Sequence, residues 1–518
     1  MVRNKMSGLY NLLMLTICGS IIVGINSQKY LSVNGTSLYL NGEKVFLSGV
    51  NQAWYMYGDD FGNNGYTRSK PRLMNTLDAI KSNGGNSIRM WVHISGGRTP
   101  LFNSSGHVIS PGPNTTRDLL DYVREAKKRN ILVTLSLWNG AVMDPKYPVY
   151  KMIQNESILQ TYIQNALIPI VRVLKNENSM AIWEIINEPE GAMQMEVENK
   201  TVPCYDTSSI RWWDFADWTE QKITLQHYLR FIGQQAIAIH TEDPKALVTV
   251  GSWTYRSVTS AIDRRNFYSD YCLQYANNGN MKARLDLYQI HTYDTFHIYL
   301  PHDPFMIDAS VYKFDRPIII GEFSQKKGGF FTIGEQFRHA YYHGYNGALS
   351  WSAIDSDDAS DSLGTQEKGL QAIKDLNDQE HGGRVNITLQ VDIKPESDRE
   401  KIGKVTGAFR HGVGSPMDRN FEINEKAEDE LVRTFSQTNE LPVGAKPDAE
   451  RKHVGKVKGA FDKAIWSPRG MNAKFADIQS KYTNMHSSMS RDHVSLTKSS
   501  SWNLILEFFK RVLKHEFQ

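Results

Sequence analysis

The chain has 518 residues, 40% hydrophobic and 22% charged, with a formal net charge of +3. This is an ordinary globular balance in a chain longer than one ordinary domain, and it excludes a dedicated nucleic-acid binder. Aromatic residues make up 11%, which suits sugar-binding surfaces and cores equally and decides nothing alone.

The chain opens with Arg3 and Lys5, an apolar run from Leu9 to Gly24, and small or polar residues up to Ser27. This is the layout of a secretory signal peptide over residues 1–27. The run is short for a membrane span and contains Asn11. Cleavage between Gly24 and Ser27 is expected to leave a secreted, extracellular protein without a span. Of three cysteines, Cys18 lies in the leader. The remaining pair, Cys204 and Cys272, suggests one disulfide, two buried thiols being the alternative. Sequons at Asn34, Asn103, Asn114, Asn155, Asn199 and Asn386 also fit export.

Strands are expected at 44–51, 86–92, 131–138, 180–187, 246–253, 287–291, 316–323 and 347–351. These runs are apolar and continuous, as in strands buried on both faces. Amphipathic stretches at 72–83, 116–130, 158–176, 225–240 and 334–344 predict intervening helices. Eight such strands point to an α/β fold of the (β/α)8 TIM-barrel type over residues 28–388. A doubly wound sheet is the alternative, but no G-x-G-x-x-G follows an early strand.

After residue 388 the composition changes. Residues 394–416 recur as 446–468, sharing KP, GKV-x-GAF and SP. Residues 389–518 read as a low-order extension carrying this two-copy repeat. Residues 502–517 have helical apolar spacing and are expected to pack on the barrel or another chain.

Polar and aromatic residues gather where the strands end. Asn51 and Trp54 follow the first; Arg89, Trp91 and His93 end the second; Trp138 and Asn139 end the third. Asn187 and Glu188 end the fourth, Trp253 the fifth, His291 and Tyr293 the sixth, Glu322 the seventh and Trp351 the eighth. On a barrel these ends share the face where active sites lie.

Glu188 and Glu322 stand on strands that face each other across such a ring. Two carboxyls so placed suit glycoside hydrolysis, one protonating the leaving oxygen and one attacking the anomeric carbon. One must hold a proton while the other is ionised. Asn187 can bond a sugar hydroxyl, and Arg89 and Tyr293 can hold the nucleophile ionised. Glu184, four residues earlier, is expected deeper, in a polar layer with Arg89. His93 and His291 are isolated, so no metal site is expected.

The runs FLSGVNQAW, GGNSIRMWVHI, LWNGAV, WEIINEPEG, PCYDT, VTVGSW, YSDYC, YQIHTYD, PIIIGEF and GYNGALSW cover all eight strands. Together they resemble glycoside hydrolase family 5, most of all its secreted invertebrate β-mannanases. The resemblance implies Glu188 as acid/base and Glu322 as nucleophile, with Arg89, Asn187, His291, Tyr293 and Trp351 around the reacting sugar. It supports a Cys204–Cys272 bridge. It implies retaining endo-hydrolysis of a β-1,4-mannan partner without cofactor. A monomer is expected. An endo-β-1,4-glucanase, or a binding or matrix protein that has lost turnover, are the rival readings. Thr295 stands where the resemblance leads one to expect an aromatic, and the extension has no counterpart.

Overall fold

Eight short apolar runs form a closed, all-parallel barrel in the computed structural model, which describes residues 29–390 apart from 141–142, 211–218, 263, 295–298 and 355–356. Its strands are β1 (Leu47–Asn51), β2 (Ser87–Ile94), β3 (Leu132–Asn139), β4 (Met180–Asn187), β5 (Leu247–Ser252), β6 (Tyr288–His291), β7 (Ile318–Glu322) and β8 (Gly347–Ser350). They neighbour one another in chain order, and β8 closes on β1 with Gly347 opposite Leu47 and Ser350 opposite Val50. Almost every strand residue is buried, because helices cover one face and barrel contents fill the other.

The helices follow the expected amphipathic stretches with shifted ends. The first runs over Gly65–Ser82, starting earlier than predicted, with Pro71 inside its second turn, where the helix continues without that residue's N–H bond. The stretch expected as one helix at 158–176 is Glu156–Tyr162, a π-turn at Ile163–Leu167 and Ile168–Leu174. Pro169 has no N–H to donate within the α pattern, and the wider turn accommodates it. Thr332 and Glu335 form a reciprocal capping box that starts the helix Ile333–Tyr342.

The N-terminal end of the barrel is plugged by apolar side chains. Leu47, Leu132, Ile182, Leu247, Ile319 and Leu349, from the strands, and Leu287, just before β6, pack with Leu38 and Leu40 of an antiparallel hairpin beneath. Ile387 and Leu389 complete the plug, so barrel packing reaches one residue past the expected boundary at 388. The expected leader, the two-copy repeat and residues 502–517 lie outside the described residues.

Candidate active site

Above the plug the barrel interior turns polar, and Arg89 organises it. All of its donor nitrogens are engaged. Nε and Nη2 donate to the two carboxylate oxygens of Glu184, each at 2.6 Å. Nη1 donates to Asn51 Oδ1 at 2.8 Å and to Glu322 Oε1 at 2.6 Å, and Nη2 also donates to Asn187 Oδ1 at 2.6 Å. Glu184 accepts further bonds from Ser136 Oγ at 2.8 Å and Gln289 Nε2 at 2.6 Å. A fully buried charge is tolerable only when paired and bonded in this way.

Two glycines make room for this layer. A Cβ on Gly251 of β5 would stand 2.6 Å from Glu184 Oε1, and one on Gly321 of β7 would stand 2.4 Å from Gln289 Cδ. The strands can carry long polar side chains inward because these positions have none.

Glu322 ends β7 with one oxygen bonded by Arg89 and the other accepting the Tyr293 hydroxyl at 3.0 Å. Burial raises its pKa above the ordinary carboxylate range, and Arg89 and Tyr293 oppose that rise. Glu188 follows β4 in a left-handed conformation, φ 44°, at the entry to a single turn over Pro189–Gly191. Its pKa is raised well above normal, by burial first and then by the charge of Glu322, with only partial opposition from Arg89. His291 Nδ1 lies 2.5 Å from Glu188 Oε1 and 3.5 Å from Glu322 Oε2. Burial, reinforced by Arg89, lowers the His291 pKa well below normal, so the ring is neutral. The arrangement therefore favours one proton on the pair, held on Glu188.

One carboxylate oxygen of each glutamate and a ring nitrogen of His291 lie within 4.8 Å of one another. Geometrically the three could hold a metal ion, although the Arg89 guanidinium opposes a second cation beside it. The same closeness suits a retaining glycosidase, whose carboxyls stand ~5–5.5 Å apart, rather than an inverting one.

The walls are aromatic. Trp351 donates its Nε1–H to Asp357 Oδ2 at 3.0 Å and packs with Trp54 and Trp91 at centroid distances of 5.8 and 6.0 Å. Trp253 stacks on Tyr293 at 5.9 Å and 27°. Asn187 Nδ2 donates to Asn139 Oδ1 at 3.1 Å and more weakly to Glu188 Oε2 at 3.4 Å.

Two expected wall residues stand elsewhere. His93 is fully buried, paired through Nδ1 with Thr99 Oγ1 at 2.9 Å and packed on Trp138 and Tyr162. Burial lowers its pKa to about 3. The pairing of β2 with β3 shifts register between Trp91 and Ile94, which breaks the alternation that would have turned His93 inward. Trp138 sits between barrel and helices, against Tyr162 and Phe231, and donates Nε1–H to Gln235 Oε1 at 3.2 Å. Its neighbour Asn139 reaches the pocket instead. Thr295 lies outside the described residues.

Sequence reasoning missed Glu190. This buried carboxyl is bonded to Ser257 Oγ at 2.6 Å, Tyr268 OH at 2.8 Å and the Trp253 amide at 3.1 Å. It thereby ties the turn bearing Glu188 to the loop bearing Trp253. Cys204 and Cys272 are disulfide-bonded, bracing the loop after β4 against the helix Asp270–Tyr275.

A closed (β/α)8 barrel with this polar core and two glutamates at the ends of β4 and β7 defines a glycoside hydrolase. No family model matches the chain. Two curated relatives are mannan endo-1,4-beta-mannosidases. That of Mytilus edulis is 38% identical over 371 residues, covering 71% of this chain and 98% of the relative. That of Cryptopygus antarcticus is 39% identical over 372 residues, covering 70% and 95%. The crystal structure of endo-1,4-beta-mannanase from Eisenia fetida is 41% identical, covers 70% of this chain and 99% of its own, and superposes with a TM-score of 0.67. The chain belongs to the family of mannan endo-1,4-beta-mannosidases, with the barrel of glycoside hydrolase family 5. Among the described residues no helix is long and apolar enough to cross a membrane.

Proposed function

We propose that this chain cleaves internal β-1,4-mannosidic bonds of mannan by double displacement, with Glu322 as nucleophile and Glu188 as acid/base. The observation that carries the reading is the unequal environment of two close, buried carboxyls. Glu322 attacks the anomeric carbon while the bond to the leaving oxygen breaks, and the Glu188 proton passes to that oxygen. Glu188, now ionised, takes a proton from water, whose oxygen attacks the same carbon and releases Glu322. Arg89 and Tyr293 keep the nucleophile ionised. Asn187 offers a donor to a sugar hydroxyl, and Trp54, Trp253 and Trp351 offer ring faces to the chain. Secretion as a monomer, with the leader removed at 1–27 and the chain beyond Leu389 as an appendage, belongs to the same reading.

The test is reducing-sugar release from galactomannan by the wild type and Glu322→Ala. Strong wild-type activity, reduced on the order of 10⁵-fold in the variant, is expected. Activity on carboxymethylcellulose instead of galactomannan would replace mannan by glucan as substrate. Activity surviving in Glu322→Ala would remove the nucleophile assignment.

A further inference from the structure

The loop after β7 presents an aromatic ring that neither the core nor the two carboxyls use. Phe330 is 75% exposed, the highest value among the large hydrophobic residues of the described chain. Its backbone has φ 73°, a left-handed conformation that a bulky side chain adopts only under constraint. An exposed ring recovers nothing from solvent to offset that strain.

The constraint comes from the site itself. Asp294 directly follows Tyr293, the residue that bonds the nucleophile. Its amide donates to Lys327 O at 2.9 Å, and its Oδ2 accepts the Gly329 amide at 3.0 Å. Gly329 packs so tightly on Tyr299 that an added Cβ would lie 2.8 Å from that ring. Phe331 turns toward the same tyrosine, at a centroid distance of 6.1 Å. With Phe331 facing in and the loop pinned at Asp294, Phe330 is left exposed on the loop that follows Glu322.

We propose that Phe330 is a stacking platform for a distal unit of the β-1,4-linked substrate chain, beyond the sugar held between the two glutamates. The inference rests on the polysaccharide reading above. A polymer cleaved internally must run on across the loops that surround the pocket. The apolar C–H face of a pyranose ring matches an aromatic face. A ring already fixed by its backbone loses little freedom when a sugar settles on it. Phenylalanine has no polar atom, so the contact adds affinity without reading hydroxyl stereochemistry.

The experiment measures kcat/KM on β-1,4-manno-oligosaccharides from trimer to hexamer for wild type, Phe330→Ala, Phe330→Gly and Phe330→Trp. The hexamer-to-trimer ratio is expected to fall about tenfold in the Ala and Gly variants and to persist in the Trp variant. Phe330→Gly is expected to melt no lower than wild type, because glycine accepts this φ without strain. A ratio unchanged in Phe330→Ala, with an active wild type, overturns this inference alone. So does a Trp variant that falls as far as Ala. A wild type that cleaves no manno-oligosaccharide overturns the mannan reading and this inference with it.

Discussion

The two ends of one barrel are built from the same eight strands and share almost no chemistry. At the N-terminal end six strands, and Leu287 at the entry to β6, contribute a leucine or isoleucine to the plug. A few residues further along, the interior holds Arg89, Glu184, Gln289, Asn51 and Ser136, every one of them buried. The apolar end contributes transfer free energy, ~1.5–3 kcal/mol for each fully buried leucine or isoleucine. The polar end must recover the cost of desolvation through hydrogen bonds, and at Glu188 it does so incompletely. The difference shows a division of labour: one end closes the ring, and the other can then hold Glu188 buried and close enough to Glu322 for its pKa to be raised well above normal.

The largest break in this comparison should come at the mouth. Glu188→Gln is expected to lower kcat on galactomannan by ~10²–10⁴-fold, the usual worth of a positioned general acid. An aryl mannoside whose leaving group needs no proton should suffer less. Thermal unfolding should be at or above wild type, since a buried group poised against Glu322 is removed. A variant that melts much lower would mean that Glu188 holds the fold.

The opposite pattern is expected in the plug. Leu132→Ala should cost about 2–5 kcal/mol of stability in denaturant unfolding. Its kcat below the melting range should stay close to wild type, because the site is built several residues higher on the strands. A comparable loss of kcat would erase the proposed division.

Gly321→Ala tests the boundary between the two ends. The new methyl would collide with Gln289, which bonds Glu184, which holds Arg89. A loss of about 1–3 kcal/mol from overpacking is expected. kcat should fall as well, because Arg89 also holds Glu322. Full activity would mean that the polar layer repacks without moving the nucleophile.

Tyr293→Phe gives the finest adjustment. Glu322 acts when ionised, so kcat/KM is lost as pH falls through its pKa. Glu188 acts when protonated, so the rate is lost as pH rises through its own. Removing the Tyr293 hydroxyl deletes a bond that favours ionised Glu322, so that pKa should rise and the acid limb of the pH profile should move to higher pH. An acid limb displaced to lower pH, or left in place, would contradict the role given to Tyr293.

Much of this molecule was legible as sequence. The eight strands, the assignment of Glu188 and Glu322 to strand ends, the pairing of Glu184 with Arg89 and the Cys204–Cys272 bridge all follow from local pattern, from residue counting or from matched motifs. A strand buried on both faces must be continuously apolar, and a barrel collects its strand ends on one face. Those constraints act on neighbouring residues and are therefore written along the chain.

What only the tertiary structure decided depends on the third dimension. His93 and Trp138 left the expected pocket because strand alternation fails where the register shifts, and register is a property of pairs of strands. Glu190 found Ser257 and Tyr268 across more than sixty positions. Gly251 and Gly321 matter only because Glu184 and Gln289 point at them from other strands. The strained, outward Phe330 is explained by a loop that belongs to a different strand. The sequence by itself determined which residues end the strands; packing between distant segments decided which of those residues share one pocket, and in what protonation state.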